Sequence, residues 1–471
     1  MANPGDRPAS DQAADRLLPV SQIAGWLSPV RRFLKLQATS GLLLVAATAF
    51  ALIAANSPWS EQFLHIWETS CFIGFGDYVL KKDFLHVIND GLMTIFFFVV
   101  GLEIKREIVS GELSDLRKAA LPIIAALGGM IVPALVFLGA SQVFRVPPEA
   151  MKGWTIPMAT DIAFVVGLLS LFGNRVPIGL KILLLSLAIV DDLGAVILIA
   201  VLFTEKLALV GLMVAAVGIT LTFLMNRVGV RNVWLYVVVG GVTWLAVLKS
   251  GVHPTIAGVI LGLMTPSKAW VPYDTLTAVL KRLTDELKKF QSDSDQESLK
   301  PGKPIPLHKT MHDDLAEAEF ATRESIAPLY RLEHALHPWV AFLIMPLFAL
   351  ANAGVPLDFS KAFEPVSLCV ALGLAIGKPV GIFGLSFLAV LIGLARLPDG
   401  VNWKLYLGGA CLAGIGFTMS LFLGALALPE SFIAAGKLGT LMGSTLSAIL
   451  GIVLISKALP AVSESSDEGK V

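Results

Sequence analysis

LLLSLAIVDDLGAVILIAVLF, residues 183 to 203, is apolar but for Ser186 and two adjacent carboxylates, Asp191 and Asp192, at its centre. A helix of about 20 residues rises about 30 Å, the thickness of a bilayer's hydrocarbon core. Each charge near the middle of such a helix costs roughly 2.5 to 3.5 kcal/mol on insertion scales, so membrane carboxylates face a cavity, a partner or a wet pathway. The pair predicts a membrane protein that handles a cation or a proton. A solvated surface helix would not be this apolar.

The rest of the chain agrees. Of its 471 residues, 55% are hydrophobic and only 15% charged, with a mean hydropathy of +0.75, outside the range of soluble globular domains. Hydropathy predicts an all-α polytopic membrane protein of about twelve transmembrane helices. The expected spans are 36–56, 88–109, 119–141, 155–173, 178–203, 206–226, 232–249, 252–266, 335–354, 366–394, 403–428 and 432–457. Residues 1 to 30 carry no compact apolar region with a small-residue cleavage site, so no cleavable secretory signal is expected. Basic residues at Arg31, Arg32 and Lys35, at Lys105, Arg106, Arg117 and Lys118, and at Arg227 and Arg231 place both termini in the cytoplasm by the positive-inside rule. The three cysteines, Cys71, Cys369 and Cys411, have no metal-ligand spacing and imply no disulfide framework. A net charge of zero excludes no partner class.

Domain organisation follows from the composition shifts. An N-terminal extension (1–32) precedes spans one to eight (33–266), an enlarged cytoplasmic loop (267–334) comes next, and spans nine to twelve (335–457) lead to a cytoplasmic tail (458–471). Within the loop, 274–290 and 311–326 read as amphipathic helices joined by the flexible stretch QSDSDQESLKPGKPIPLHKT.

Two segments predict helices broken at mid-membrane. In IPMATDIAFVVG, Pro157 removes a backbone donor just before Thr160 and Asp161; in GACLAGIGFTMSLFLG, Gly409, Gly414 and Gly416 precede Thr418 and Ser420. They lie in the middle members of helices three to five and ten to twelve, the placement required by inverted three-helix repeats with two crossing discontinuous helices, the fourth and eleventh. Crossed breaks leave about half a unit of charge at each half-helix end. Asp161, set in the first break, and Lys378, the one cation near the middle of any expected span, are the acid and base that would compensate those ends.

Adjacent residues on a helix point about 100° apart, so Asp191 and Asp192 should have two roles: one ligating a partly dehydrated cation, the other exchanging partners between Lys378 and solvent. With Thr160, Asp161 and backbone carbonyls nearby, the oxygen donors suit a small hard ion such as Na+ or Li+. Burial and a like-charged neighbour both favour a protonated carboxylate, so protons compete with Na+ for the same oxygens. That competition suffices for exchange without ATP, for which there is no motif, and no cofactor is implied. A Na+-coupled organic-anion symporter, an intramembrane aspartyl protease and a simple cation channel remain as alternatives. Against the first, Asp161 occupies the half-helix ends that an anion would need; against the second, there is no GxGD segment.

The segments INDGLMTIFFFVVGLEIKRE (88–107), ATDIAF (159–164), AIVDDLGAV (188–196), SGVHPTIAGVI (250–260), LEHALHPWVAFLIMPLFALANAGV (332–355), GKPVGI (377–382) and GIGFTMSLF (414–422) resemble, in order, the NhaA-type Na+/H+ antiporters of bacteria. The resemblance implies electrogenic, pH-activated export of Na+ or Li+ for external protons, two H+ per Na+, across the bacterial inner membrane. It implies Asp191 and Asp192 as the ion and proton site, Asp192 the direct ligand, with Asp161 and Lys378 as the compensating pair. Its pH regulation falls on Glu103, Glu107, His253, Glu333, His334 and His337, and the stretch YVLKKDF (78–84) would form a hairpin for homodimer contact. The N-terminal extension and the enlarged loop depart from the compact pattern.

Overall fold

The computed structural model describes residues 37–75, 78–204, 207–230, 232–294, 309–356 and 359–459. The N-terminal extension, the middle of the enlarged loop and nearly all of the tail lie outside these. The described chain is helical except for one antiparallel hairpin, Ser70–Phe75 with Tyr78–Asp83, in the register Ser70 opposite Asp83.

Helix α1 spans Gln37–Ala55 and turns sharply, by 114°, into the amphipathic α2, Ser60–Glu68. After the hairpin come α3 (Phe84–Ser110), α4 (Leu116–Phe144), a 3-10 helix (Pro148–Met158) with α5 (Ile162–Ser170), α6 (Ile178–Leu202), α7 (Leu209–Val228), α8 (Val233–Ser250) and the short α9 (Thr255–Met264). Two polar helices, α10 (Tyr273–Ser294) and α11 (Lys309–Glu324), occupy the enlarged loop. The chain then returns through α12 (Pro328–Ala353), α13 (Pro365–Leu391), α14 (Trp403–Ala413), α15 (Phe417–Ala427) and α16 (Glu430–Ala458).

Among the described residues, eight helices are long and apolar enough to cross a membrane, or eleven if each bent pair counts as one span; α9, at 10 residues, is shorter. This is a multi-pass membrane protein. Helix ends obey local rules: Asp115 and Asn232 cap α4 and α8 by accepting from Arg117 N and Trp234 N, and α7 and α8 stop at Gly229 and Gly251, whose positive φ lets the chain turn away. Helix α12 begins seven residues before the expected 335, because its first turns carry Arg331, Glu333, His334 and His337 and so fall below a hydropathy threshold while still helical.

Burial grades the bundle. Only 17% and 22% of the apolar windows of α7 and α8 are buried, against 72% for α13, so the first two are peripheral and α13 is central. The large apolar side chains that α7 and α8 expose, Val217, Phe223 and Trp234 among them, face acyl chains rather than water. Small residues bring helices together where lipid supplies no hydrophobic drive. A β-carbon on Gly128 of α4 would stand 2.2 Å from the Gly381 carbonyl oxygen of α13, and Gly258 and Gly262 of α9 press on the α3 backbone in the same way.

Candidate functional site

Both expected breaks are present. The 3-10 helix Pro148–Met158 meets α5 at 41°, and α14 meets α15 at 43°. The two linkers cross closely enough for Asp161 N to donate to the Ile415 carbonyl at 2.7 Å. Gly416 permits this approach, since a β-carbon there would lie 3.0 Å from the Ala159 carbonyl oxygen and 2.1 Å from Ser420 Oγ.

Asp161 sits on two helix N-termini at once. Its Oδ1 accepts from Phe164 N at 3.3 Å, capping α5, and its Oδ2 accepts from Thr418 N at 3.0 Å and from the Thr418 hydroxyl in the first turn of α15. Facing N-terminal dipoles call for a negative group, and this carboxylate supplies it. The opposite ends meet donors. Lys378, the first residue of the straight part of α13, donates through Nζ to the carbonyl of Met158, where the 3-10 helix ends. The Thr160 hydroxyl lies 3.2 Å from the carbonyl of Ala413, where α14 ends.

These two donors also converge on one oxygen. Asp191 Oδ2 accepts from Lys378 Nζ at 2.7 Å and from Thr160 Oγ1 at 2.6 Å, whereas Asp191 Oδ1 is buried with no hydrogen-bond partner. Asp161 and Asp191 are each 1% exposed and Lys378 is fully buried. Asp192, at 6%, is the most open of the four and takes no part in the Lys378 bond; the charges of Asp191, Glu103, Asp161 and Lys378 all act on it. A buried carboxylate oxygen without a donor is an acceptor in search of a proton or a cation. The arrangement can therefore trade one for the other.

Four of the six residues assigned to pH regulation come together. At the end of α3, Arg106 pairs with Glu333 of α12 and, at 3.3 Å, with Glu107, whose other oxygen accepts from Glu112 N at 3.0 Å. Glu103 lies 3.5 Å from His337 Nδ1. The other two stand outside this cluster. His253 bonds to Thr255 Oγ1 at 2.7 Å and sets its ring edge-on to Phe422 of α15, while His334 is exposed and makes no ion pair with the group.

Sequence reading missed three parts of this picture. Arg106 stood among ordinary helix-end charges, yet it joins Glu107 to Glu333. Thr418 followed the glycines as one more polar residue, although a threonine opening a half-helix is an obvious partner for Asp161. The reciprocal amide pair of half-buried Asn89 and buried Asn352, with Asn352 Nδ2 donating to Asn89 Oδ1 at 2.9 Å, links α3 to α12 and carries no sequence signal beyond two amides in apolar runs.

Carboxylates and one ammonium, buried where two broken helices cross inside an apolar bundle, define an ion-coupled membrane transporter. The Na+/H+ antiporter 1 family model matches residues 31–455. The chain is similar to the Na+/H+ antiporter NhaA of Rhodopirellula baltica, 47% identical over 94% of this chain and 97% of that one. It is also similar to NhaA 2 of Myxococcus xanthus, 45% identical over 99% and 98%, and to NhaA 2 of Sorangium cellulosum, 46% identical over 93% and 92%. The chain belongs to the Na+/H+ antiporter 1 family.

Proposed function

We propose that this protein is an electrogenic Na+(Li+)/H+ antiporter of the bacterial inner membrane that expels Na+ in exchange for external protons and is activated as pH rises. One observation carries the reading. Lys378 holds Asp191 Oδ2 at 2.7 Å while Asp191 Oδ1 is left without a hydrogen-bond partner, and the neighbouring Asp192, the more open of the two carboxylates, stands outside that bond. In the proton-loaded state Lys378 keeps Asp191 occupied and Asp192 carries a proton. Na+ arriving from the cytoplasmic side displaces both, ligated by Asp192, Asp191, Thr160 and open backbone carbonyls: Asp192 releases its proton to the cytoplasmic side, and Lys378, its contact with Asp191 lost, releases the second proton from its ammonium. Two protons released per Na+ bound leave one net charge moved per cycle, so membrane potential helps to drive export.

Asp161 holds the crossed N-termini in every state, and Lys378 and Thr160 serve the crossed C-termini only while Na+ is absent. Competition between Na+ and protons already slows the cycle in acid. The cluster of Glu103, Arg106, Glu107, Glu333 and His337 adds regulation, because a histidine among three carboxylates changes the charge of that helix end across the physiological range. His253 acts separately, against Phe422. The hairpin is the surface for homodimer contact, the termini are cytoplasmic, the two three-helix units are inverted repeats, and no cofactor enters the cycle.

The test is proton movement in acidified everted vesicles, followed with a pH-sensitive dye on addition of Na+, Li+ or K+ between about pH 6 and 9, the range in which histidines and perturbed carboxylates titrate. A response to Na+ and Li+ that grows with pH is expected. A response independent of pH, or one equal for K+, overturns the reading.

A further inference from the structure

Lys378 does not leave a regular helix. The turn before it, Gly373–Gly377, is a π-helix, and the Lys378 amide donates five residues back to the Gly373 carbonyl. Sequence supplies the cause. Pro379 has no N–H, so the carbonyl of Leu374 loses the donor that would continue the π pattern, while its ordinary α-helical donor, the Lys378 amide, is already engaged. An orphaned carbonyl buried in a membrane bundle needs a partner from another helix. It finds Ser447 of α16, whose hydroxyl donates to Leu374 O at 3.2 Å in a fully buried position.

The same spot is the junction with the second break. A β-carbon on Gly414, between α14 and α15, would lie 2.6 Å from Leu374 O and 2.6 Å from Ser447 Oγ, so the break rests directly on this hydrogen bond. One turn earlier on α16, Ser444 Oγ accepts from Phe417 N at 3.2 Å, next to the Thr418 amide that donates to Asp161. Helix α16 brings no charge to the site. It serves the irregular backbone of two elements that build the site, the π-turn before Lys378 and the break between α14 and α15.

We propose that Ser447 is a positioning residue for exchange: through the Leu374 carbonyl it fixes the π-turn that carries Lys378, and with it the grip of the lysine on Asp191 against an incoming Na+. The inference rests on reading Lys378 and Asp191 as partners that separate during the cycle. When the serine donor is lost the turn is free to shift, Lys378 holds Asp191 less well, and Na+ competes more easily.

The experiment uses the full chain in proteoliposomes, with initial rates of Na+-driven proton movement measured against Na+ concentration at one alkaline pH. Ser447→Ala should lower the apparent KM for Na+ by about two- to tenfold, the span of one net hydrogen bond, with the maximal rate held within about twofold, a split between KM and kcat that lost protein cannot produce. Ser447→Cys, near in size and a weak donor, should fall between. Thr440→Val is the control: it removes a buried hydroxyl of the same helix that bonds only to Gly436 of that helix, and its KM should match the parent. An unchanged or raised KM in Ser447→Ala overturns the proposal, as does an equal drop in Thr440→Val. If Ser447→Ala does not insert, an unchanged KM in Ser447→Cys does the same. Asp192→Asn separates the levels. Exchange surviving in that variant removes the site reading and this inference together, whereas a dead Asp192→Asn beside a Ser447→Ala of parental KM removes only the positioning role.

Discussion

The Lys378 ammonium and the Asp191 carboxylate meet at 2.7 Å with neither side chain open to solvent, yet the pair leaves one carboxylate oxygen unpartnered. A buried ion pair gains little over a matched apolar pair, and its single members are costly to leave alone. The economy of the site is therefore that of a switch: each charge is tolerable only while some partner, lysine, proton or cation, is in place.

Removal of one member should show this. Lys378→Ala is expected to destabilise the protein by about 3 to 5 kcal/mol, the usual cost of stranding a buried charge. Adding Asp191→Asn should recover part of that loss. Thermal unfolding in detergent measures the cycle, and strictly additive losses would show that the two side chains are not coupled.

Asp192→Asn should insert and unfold like the parent but exchange no Na+, because it keeps the shape and loses the charge that balances the ion. Expression, melting temperature and dye response in the same vesicles check the three parts. Near-normal exchange would sink the assignment of Asp192 as ligand.

Asp161 makes its contacts to Thr418 N, the Thr418 hydroxyl and Phe164 N, so its substitutions should act on stability before rate. Asp161→Ala strands these donors at about 1 to 3 kcal/mol each, and Asp161→Asn, which keeps one acceptor oxygen, should cost less. Equal melting temperatures for the two would argue against the helix-end role.

At the cluster between α3 and α12, Arg106→Ala should displace the pH profile of exchange, since it frees Glu107 and Glu333 from their shared partner, whereas His334→Ala, exposed and apart, should leave it in place. Initial rates measured at saturating Na+ across the pH range decide this. Identical displacement by both variants would mean that the ion-pair network has no special part.

Glycine contacts offer a packing test. Gly381→Ala would drive a methyl to 2.1 Å from the Gly128 carbonyl oxygen and should push α13 from α4 at about 1 to 3 kcal/mol. Gly139→Ala, on α4 with open space around it, should be neutral or stabilising by about 0.4 to 1 kcal/mol. Melting temperatures of the two variants separate close approach from simple helix propensity.

Much of this was legible along the chain. Long apolar runs can be satisfied only by membrane helices, so fold class followed from hydropathy; Pro157 and the glycines at 414 and 416 removed a donor or side chains beside the two breaks, while Gly409 lies inside α14; and charges as costly as Asp161, Asp191, Asp192 and Lys378 had to belong to a site. The helices near 274–290 and 311–326 were likewise readable from local pattern, whereas the hairpin, Ser70–Phe75 with Tyr78–Asp83, was expected only from the family resemblance. Local pattern stops at distance and orientation. Which oxygen of Asp191 is held, that Thr418 and not a more distant group meets Asp161, that Arg106 joins α3 to α12, and that Ser447 answers a carbonyl orphaned by Pro379 depend on segments between 31 and 257 residues apart lying within hydrogen-bonding reach. The chain dictates which groups cannot be left alone in a bilayer; the packing of the helices chooses their partners.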